Sequence, residues 1–289
     1  GSHLAKSLKK SGWKVVGLGH KRHTMNRYLD IMHYADVRNM DDIDDLFSRI
    51  KFDAVFHLAA RIEAGVSVKE PTEFYSVNTG GTCNVINAMV RHGVKNLVFS
   101  STAAVYGSPD HSNLVKESDQ KNPISPYGES KLAAEVEVNK FLNDPGHRGT
   151  SLRFFNAVGA GAPELLDNSI ANLVPIVINK LKASEPPVIF GTDYPTPDGT
   201  CIRDYVDVRD VAHAHLVAAD SMGALPQALN IGTGRGTSVR QVIKIICNVL
   251  GKSDVETLER ERRVGDPAFL CADVSQMKRA TGFVSKYSF

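Results

Sequence analysis

The sequence has no long apolar run and almost no excess of charge. No stretch of its 289 residues approaches the roughly 20 apolar residues that a membrane-spanning helix needs. The formal net charge is +2 at pH 7, which predicts no basic surface for nucleic acid. With 42% hydrophobic and 23% charged residues, the composition is that of a folded globular protein. We therefore expect neither a membrane nor a nucleic-acid partner.

Cysteine is scarce, and the histidines are scattered. The cysteines are Cys83, Cys201, Cys247 and Cys271, and they show no CxxC spacing. His213 and His215 lie two residues apart, which is a poor spacing for two ligands on one helix face. We expect no metal site, and we expect reduced thiols in a cytoplasmic protein.

A strand pattern followed by a helix pattern is the most informative feature that is present. Leu97 to Phe99 is a short apolar run, typical of a buried parallel strand, and the hydroxyl residues 100–102 follow it. The carboxyl ends of parallel strands are where open α/β sheets bind ligands. Tyr127 and Lys131 come next, and residues four apart share one face of a helix.

These residue types predict proton transfer. A free phenol has a pKa near 10, too high for a base at neutral pH, and we expect the ammonium of Lys131 to lower the pKa of Tyr127. The hydroxyl of Thr102 could bond the same substrate oxygen while a cofactor takes a hydride. A Tyr-x-x-x-Lys pair also recurs by chance on solvated helices, but the hydroxyl-ended strand upstream favours the catalytic interpretation.

Two segments, 99–107 and 127–131, resemble the extended short-chain dehydrogenase/reductase family, and within it the branch that epimerises UDP-sugars at C4. The resemblance implies an α/β fold: a Rossmann-like doubly wound parallel sheet with a smaller α/β substrate domain. It implies Tyr127 as the base, Lys131 as its partner and Thr102 as the third catalytic residue. The implied reaction is NAD-dependent 4-epimerisation of a UDP-hexose, UDP-galactose or UDP-glucose, through a transient 4-keto sugar.

Two alanines support this branch of the family. Sugar-nucleotide dehydratases and decarboxylases of the family carry an acidic residue in the segment where this chain has Ala103 and Ala104. That difference favours epimerisation over elimination or loss of carbon dioxide.

The resemblance also implies two sets of binding residues. The cofactor set is Gly1, Asp36, Val37, Leu58, Ala59, Ala60, Asn78, Ser100, Tyr127 and Lys131. The substrate set is Thr102, Asn156, Asn172, Leu173, Arg203, Arg263, Asp266 and Leu270. Leu270 falls where the family tunes its tolerance of an N-acetyl group, and a branched leucine predicts a preference for non-acetylated hexoses.

The chain departs from the family pattern at two places. We interpret Gly1 as the third glycine of the cofactor loop, so we expect the first strand and the first two glycines to be missing from an N-terminally truncated chain rather than Gly1 to belong to a tag. Gly19 stands where an NAD-binding unit usually has an acid, and Lys21 and Arg22 follow. These two residues could pair with a 2′-phosphate, which leaves NADP open, or they could be a solvated basic loop.

The alternation of strands and helices loosens after about residue 160. We expect a dinucleotide-binding domain over 1–160 and a substrate domain over 161–289, with a segment near 205–235 packing back on the first. The resemblance implies a homodimer. Three alternatives stay open: an NADP(H)-dependent sugar-nucleotide reductase, a UDP-pentose 4-epimerase, and an inert truncated homologue that only binds a sugar nucleotide.

Overall fold

The structure, a computed structural model, describes residues 1–20, 27–109, 113–167, 172–223, 225–252, 255–263 and 265–289. The α-helices are α1 (Ser2–Lys10), α2 (Met40–Arg49), α3 (Ala64–Ser67), α4 (Pro71–Phe74), α5 (Gly81–Arg91), α6 (Pro126–Asn143), α7 (Leu173–Lys182), α8 (Val208–Asp220), α9 (Val239–Val249) and α10 (Ser275–Thr281). The strands are β1 (Val16–Gly19), β2 (Ile31–Tyr34), β3 (Val55–His57), β4 (Asn96–Thr102), β5 (Arg148–Phe154), β6 (Asn156–Val158), β7 (Val188–Phe190), β8 (Ile202–Asp207), β9 (Ala228–Ile231), β10 (Gly236–Ser238), β11 (Leu258–Arg260) and β12 (Phe269–Leu270).

A parallel sheet with the order β3-β4-β5-β9 forms the centre of the fold. β4 pairs with β5 along seven residues, and β3 and β9 flank them in the same direction. Residues 97–102 of β4 are all buried, as the apolar run predicts for a strand covered on both faces. The α/β class and the parallel sheet expected from the sequence are confirmed.

Helices cover both faces because successive side chains of β4 point in opposite directions. Leu97 and Phe99 pack with apolar side chains of α2, α5 and α6. Val98 packs on the other face with apolar side chains of α8 and with β5 and β9. This doubly wound arrangement places the start of α6 at the carboxyl edge of the sheet.

β1 and β2 form a separate parallel pair in the described part of the chain. A cavity of about 560 Å³ lies between them and β3, lined by residues 16–19 on one side and 55–57 on the other. Trp13 meets Phe56 edge-on there, with ring centroids 6.3 Å apart.

The rest of the chain builds a smaller α/β layer. β8 lies between β10 and β12 and also pairs with β6, while β7 pairs with β11. Helices α7 and α9 pack with Ile189 and Tyr205 in a separate apolar cluster. α8 and β9, which fall within residues 205–235, pack on and extend the central sheet. The division of the chain at residue 160 stays a prediction.

Within the described ranges, no helix is both long enough and apolar enough to cross a bilayer. In the same ranges, no three His, Cys, Asp or Glu side chains gather as a metal site requires.

Candidate active site

Two capped turns bring the start of α6 against the carboxyl end of β4. The hydroxyl of Thr102 accepts from the backbone N–H of Ala104 at 3.2 Å, and that of Ser125 accepts from the N–H of Gly128 at 3.2 Å. A Cβ on Gly128 would lie 2.7 Å from the carbonyl oxygen of Ala104, so glycine is what permits this approach. Tyr127 therefore enters the helix directly beside the end of the strand.

The side chains of Tyr127 and Thr102 lie close enough to interact. Burial raises the pKa of Tyr127 above its usual value, and the contact with Thr102 acts in the opposite direction. The net change is opposite to the lowering that we expected from Lys131, because the loss of water around the phenol outweighs its polar contacts. That part of the sequence prediction is wrong.

Lys131 is buried one helical turn after Tyr127. Its Nζ donates to the backbone carbonyl oxygen of Ser100 at 2.7 Å and lies 4.0 Å from the centroid of the Phe99 ring. Burial lowers the pKa of Lys131 to about 7, and the carboxylate of Glu135 opposes that change. Lys131 and Tyr127 thus meet β4 at positions 100 and 102, at the same end of the strand.

Asn78 lies in a π-helical turn (Tyr75–Gly80) between α4 and α5, a feature that recurs at functional sites. Its Oδ1 accepts from the backbone N–H of Arg61 at 2.8 Å. Its Nδ2 donates to the carbonyl oxygen of Arg61 at 3.0 Å and to Oγ of Ser130 at 2.9 Å. Both amide hydrogens are used inside the protein, so Asn78 holds the backbone that follows β3 against α6.

The predicted cofactor residues gather at one side of this site. Gly1, Val37, Leu58 and Ala59 line the cavity between β1 and β3, and Ala60 follows Ala59 directly.

Asp36 lies next to this cavity and is ionised. Its carboxylate accepts from Arg38, with Nη2 and Oδ2 2.6 Å apart, and that bond lowers the pKa of Asp36 to about 2. Gly19 ends β1 as the sequence predicts. Lys21 and Arg22, on which the NADP alternative rests, lie outside the described residues.

The arginines of the substrate set both have partners. Arg203 is buried, and its Nη2 lies 2.5 Å from Oδ1 of Asp266, so the predicted phosphate and ribose residues pair with each other. The exposed guanidinium of Arg263 lies over the ring of Phe190, 4.2 Å from its centroid. The guanidinium of Arg203 is therefore buried and paired with Asp266, whereas that of Arg263 is open to solvent.

Leu270 lies close to the catalytic end of β4. It is 9% exposed and packs in one apolar cluster with Ala103, Val105 and Phe155. The remaining substrate residues lie further out: Asn156 begins β6 and is exposed, Asn172 donates from Nδ2 to Oδ2 of Asp167 at 2.7 Å, and Leu173 begins α7.

The sequence analysis missed a buried polar network beside the predicted catalytic residues Thr102, Tyr127 and Lys131. Arg153 and Glu135 form an ion pair with Nη2 and Oε2 2.6 Å apart, and the hydroxyl of Ser101 donates to the same carboxylate. On the other face of the sheet, Ser100 Oγ lies 2.7 Å from Nε2 of His215. The spacing of Glu135 four residues after Lys131 was the available signal, but such a pair is more often a solvated helix surface.

Comparison with known proteins gives a consistent result. A model of the NAD-dependent epimerase/dehydratase family matches residues 1–232. UDP-glucose 4-epimerase of Halalkalibacterium halodurans is 38% identical over 99% of this chain and 88% of its own length. The enzyme of the same name from Rhizobium meliloti is 36% identical over 99% of this chain and 89% of its own.

Solved structures with the same fold give the same family resemblance. UDP-glucose 4-epimerase of Bifidobacterium longum, in complex with NAD⁺ and UDP, superposes with a TM-score of 0.91 at 31% identity, covering 99% of this chain and 90% of its own.

Proposed function

Because this chain belongs to the NAD-dependent epimerase/dehydratase family, we propose that it interconverts UDP-galactose and UDP-glucose by epimerisation at C4. The reaction passes through a transient 4-keto sugar, with NAD as the cofactor. The observation that carries the proposal is that the side chains of Tyr127 and Thr102 meet at the end of β4, where Nζ of Lys131 also donates to the backbone carbonyl oxygen of Ser100.

The proton of the C4 hydroxyl goes to Tyr127. In its phenolate form Tyr127 accepts this proton, and the hydroxyl of Thr102 donates a hydrogen bond to the same sugar oxygen. Burial opposes formation of the phenolate here, and the hydroxyl of Thr102 favours it. Tyr127 returns the proton when C4 is reduced again, so both directions use the same residues.

The residues present fit a nicotinamide dinucleotide. When bound, NAD supplies the acceptor for the C4 hydride and then gives the hydride back. An ammonium has three donors, and the carbonyl of Ser100 uses one of those of Lys131, which leaves donors for ribose hydroxyls. The remainder of NAD would lie near Leu58 and Ala59, and the ionised carboxylate of Asp36 would accept a hydrogen bond from it.

The diphosphate of the substrate would be held by the cationic side of the site. The exposed fork of Arg263 suits one phosphate. Arg203, whose Nη2 is bound to Oδ1 of Asp266, can offer its remaining donors to the other, and the second carboxylate oxygen of Asp266 can accept from the ribose. If the diphosphate is held while the 4-keto sugar rotates within the site, hydride can return to the opposite face of C4. Asn156, Asn172 and Leu173 complete the substrate contacts that we propose, and Leu270 limits the size of the group at C2.

Three broader features belong to the same proposal. The chain works as a dinucleotide-binding domain over 1–160 and a substrate domain over 161–289. It forms a homodimer, supported by the exposed side chains of Val90 on α5 and Val136 on α6. It acts in the cytoplasm, where its four free cysteines would stay reduced.

The test is a turnover assay on the whole chain. Incubation with UDP-galactose and NAD should give UDP-glucose with no net change in the absorbance of reduced nicotinamide, because the cofactor is regenerated in every cycle. A stoichiometric rise or fall of that absorbance would instead indicate a reductase or dehydrogenase. If UDP-galactose is not converted, calorimetric titration with NAD separates two explanations. Absence of NAD binding would indicate an inert protein that only binds a sugar nucleotide, whereas NAD binding would indicate an enzyme that needs a different sugar.

A further inference from the structure

A buried ion pair joins α6 to the strand beside β4. Arg153 of β5 and Glu135 of α6 are 3% and 2% exposed, and three bonds link them: Nη2 to Oε2 at 2.6 Å, Nε to Oε1 at 2.9 Å and Nε to Oε2 at 3.2 Å. Two charges taken out of water are costly unless other groups satisfy them, so a pair in this position calls for an explanation.

The pair is the centre of a larger network. The hydroxyl of Ser101 on β4 donates to Oε1 of Glu135. Nη1 of Arg153 donates to the hydroxyl of Tyr106 at 2.9 Å, and that hydroxyl donates to Oδ1 of Asn230 at 2.7 Å. Every member is buried and bonded to other protein groups, so we infer that the network acts through its neighbours.

Those neighbours are the proposed catalytic residues. Glu135 follows Lys131 by one helical turn, so both lie on the buried face of α6. Ser101, whose hydroxyl donates to Glu135, stands between Ser100 and Thr102, the residues that Lys131 and Tyr127 contact. Glu135 therefore ties α6 to β5 through Arg153 and to β4 through Ser101, between the two catalytic contacts.

We propose that Glu135, held in place by Arg153, is a positioning residue for the proton transfer: it locks α6 to the end of β4 and keeps the ammonium of Lys131 charged beside Tyr127. The catalytic part of this inference rests on the proposed function, whereas the effect on the charge of Lys131 does not.

Glu135 is the charged neighbour that stabilises the ammonium of Lys131. On β3, His57 is neutral, because burial and then the charge of Lys131 lower its pKa to about 3. On β4, Lys131 meets only the Ser100 carbonyl and the ring of Phe99. Among the described residues, Glu135 is the charge that favours the ammonium against desolvation.

The experiment compares Glu135→Gln with Glu137→Gln by NMR titration of ¹⁵N-labelled lysine side chains. Glu137 lies on the same helix and pairs with Lys140 at 2.8 Å on the surface, which makes it the matched control. Lys131→Met identifies the signal of Lys131. We expect Glu135→Gln to lower the pKa of Lys131 by about one unit, since a carboxylate one turn away contributes an interaction of that size. Glu137→Gln should leave it unchanged.

Two further measurements make the result decisive. The alkaline limb of the kcat/KM profile should move down with the NMR pKa in Glu135→Gln and stay in place in Glu137→Gln. If Glu135→Gln does not fold, the double variant Glu135→Leu/Arg153→Met removes both charges without leaving one unpaired. It should also lower the pKa of Lys131, although by less, because the loss of the Arg153 cation offsets part of the change. An unchanged Lys131 titration in a folded variant of either kind overturns the proposal. The titration needs no turnover, so a wild-type chain without epimerase activity would contradict the proposed function alone.

Discussion

Nζ of Lys131 donates a 2.7 Å hydrogen bond to the backbone carbonyl oxygen of Ser100, inside the protein. This bond fixes the catalytic helix to the end of the central strand, and it does so with a cation that has lost its water. A buried ammonium with a pKa near neutrality is the group through which this site should respond to pH.

The first prediction concerns the proton acceptor. Tyr127→Phe removes the phenol while leaving Thr102 its contact with the N–H of Ala104, so the fold should survive. We expect kcat for UDP-galactose to fall by about 10²–10⁴-fold, the usual worth of a positioned acid–base group, with little change in melting temperature. Tyr75→Phe is the matched control, since Tyr75 is a partly exposed tyrosine that donates to Glu129 at 3.0 Å. Similar losses in the two variants would contradict the role of Tyr127.

The second prediction concerns stability and pH. The pKa of Lys131 is about 7 in the folded protein and 10.5 in an exposed lysine. Between these values the unfolded chain holds a proton that the folded protein has released, so the free energy of unfolding should rise with pH by up to about 1.4 kcal/mol per unit. Lys131→Met should flatten this rise in urea titrations at pH 7, 8 and 9. The control is Lys140→Met, because Lys140 is a surface lysine, and an equal slope in all three proteins would rule the prediction out.

The third prediction concerns the cofactor. Asp36 is ionised beside the cavity that Val37 and Leu58 line, and we propose that it accepts a hydrogen bond from NAD. Asp36→Asn should weaken NAD binding by about 10- to 100-fold in calorimetric titrations, because a hydrogen bond to a charged group contributes roughly 1.5–3 kcal/mol. Asp41→Asn changes an exposed acid in the first turn of α2 and should bind NAD as the wild type does. Unaltered affinity in Asp36→Asn would remove this residue from the cofactor set.

Local patterns predicted the parts of the site that depend on local spacing. The apolar run before Ser100 identifies β4, and the four-residue spacing of Tyr127 and Lys131 places both on one helix face. The sign of the pKa change of Tyr127 was predicted incorrectly, because it depends on how completely the folded chain removes water from the phenol. No spacing in one sequence reports that quantity.

The sequence analysis also failed to predict the long-range polar contacts. Glu135 and Arg153 are 18 residues apart and belong to different elements, so nothing in the sequence distinguishes their pair from two solvated charges. The pairing of Arg203 with Asp266 was missed for the same reason: each was assigned its own ligand group, whereas the fold brings them together across 63 positions.

The last prediction concerns substrate size. Leu270 is buried among Ala103, Val105 and Phe155, next to the turn that follows Thr102. If its side chain limits the space for the group at C2, Leu270→Ala should admit UDP-N-acetylglucosamine. We expect kcat/KM for this substrate, divided by kcat/KM for UDP-glucose, to rise at least about tenfold, the discrimination that a few methylenes provide.

The ratio matters because Leu270→Ala should also destabilise the protein by about 2–5 kcal/mol through the cavity it leaves. A loss of folded protein lowers both kcat/KM values equally and cancels in their quotient. Val274→Ala weakens the same apolar cluster from the same segment of chain, so it should lower the melting temperature without changing the ratio. A ratio that rises equally in both variants would mean that loosening the cluster, and not the side chain of Leu270, controls access.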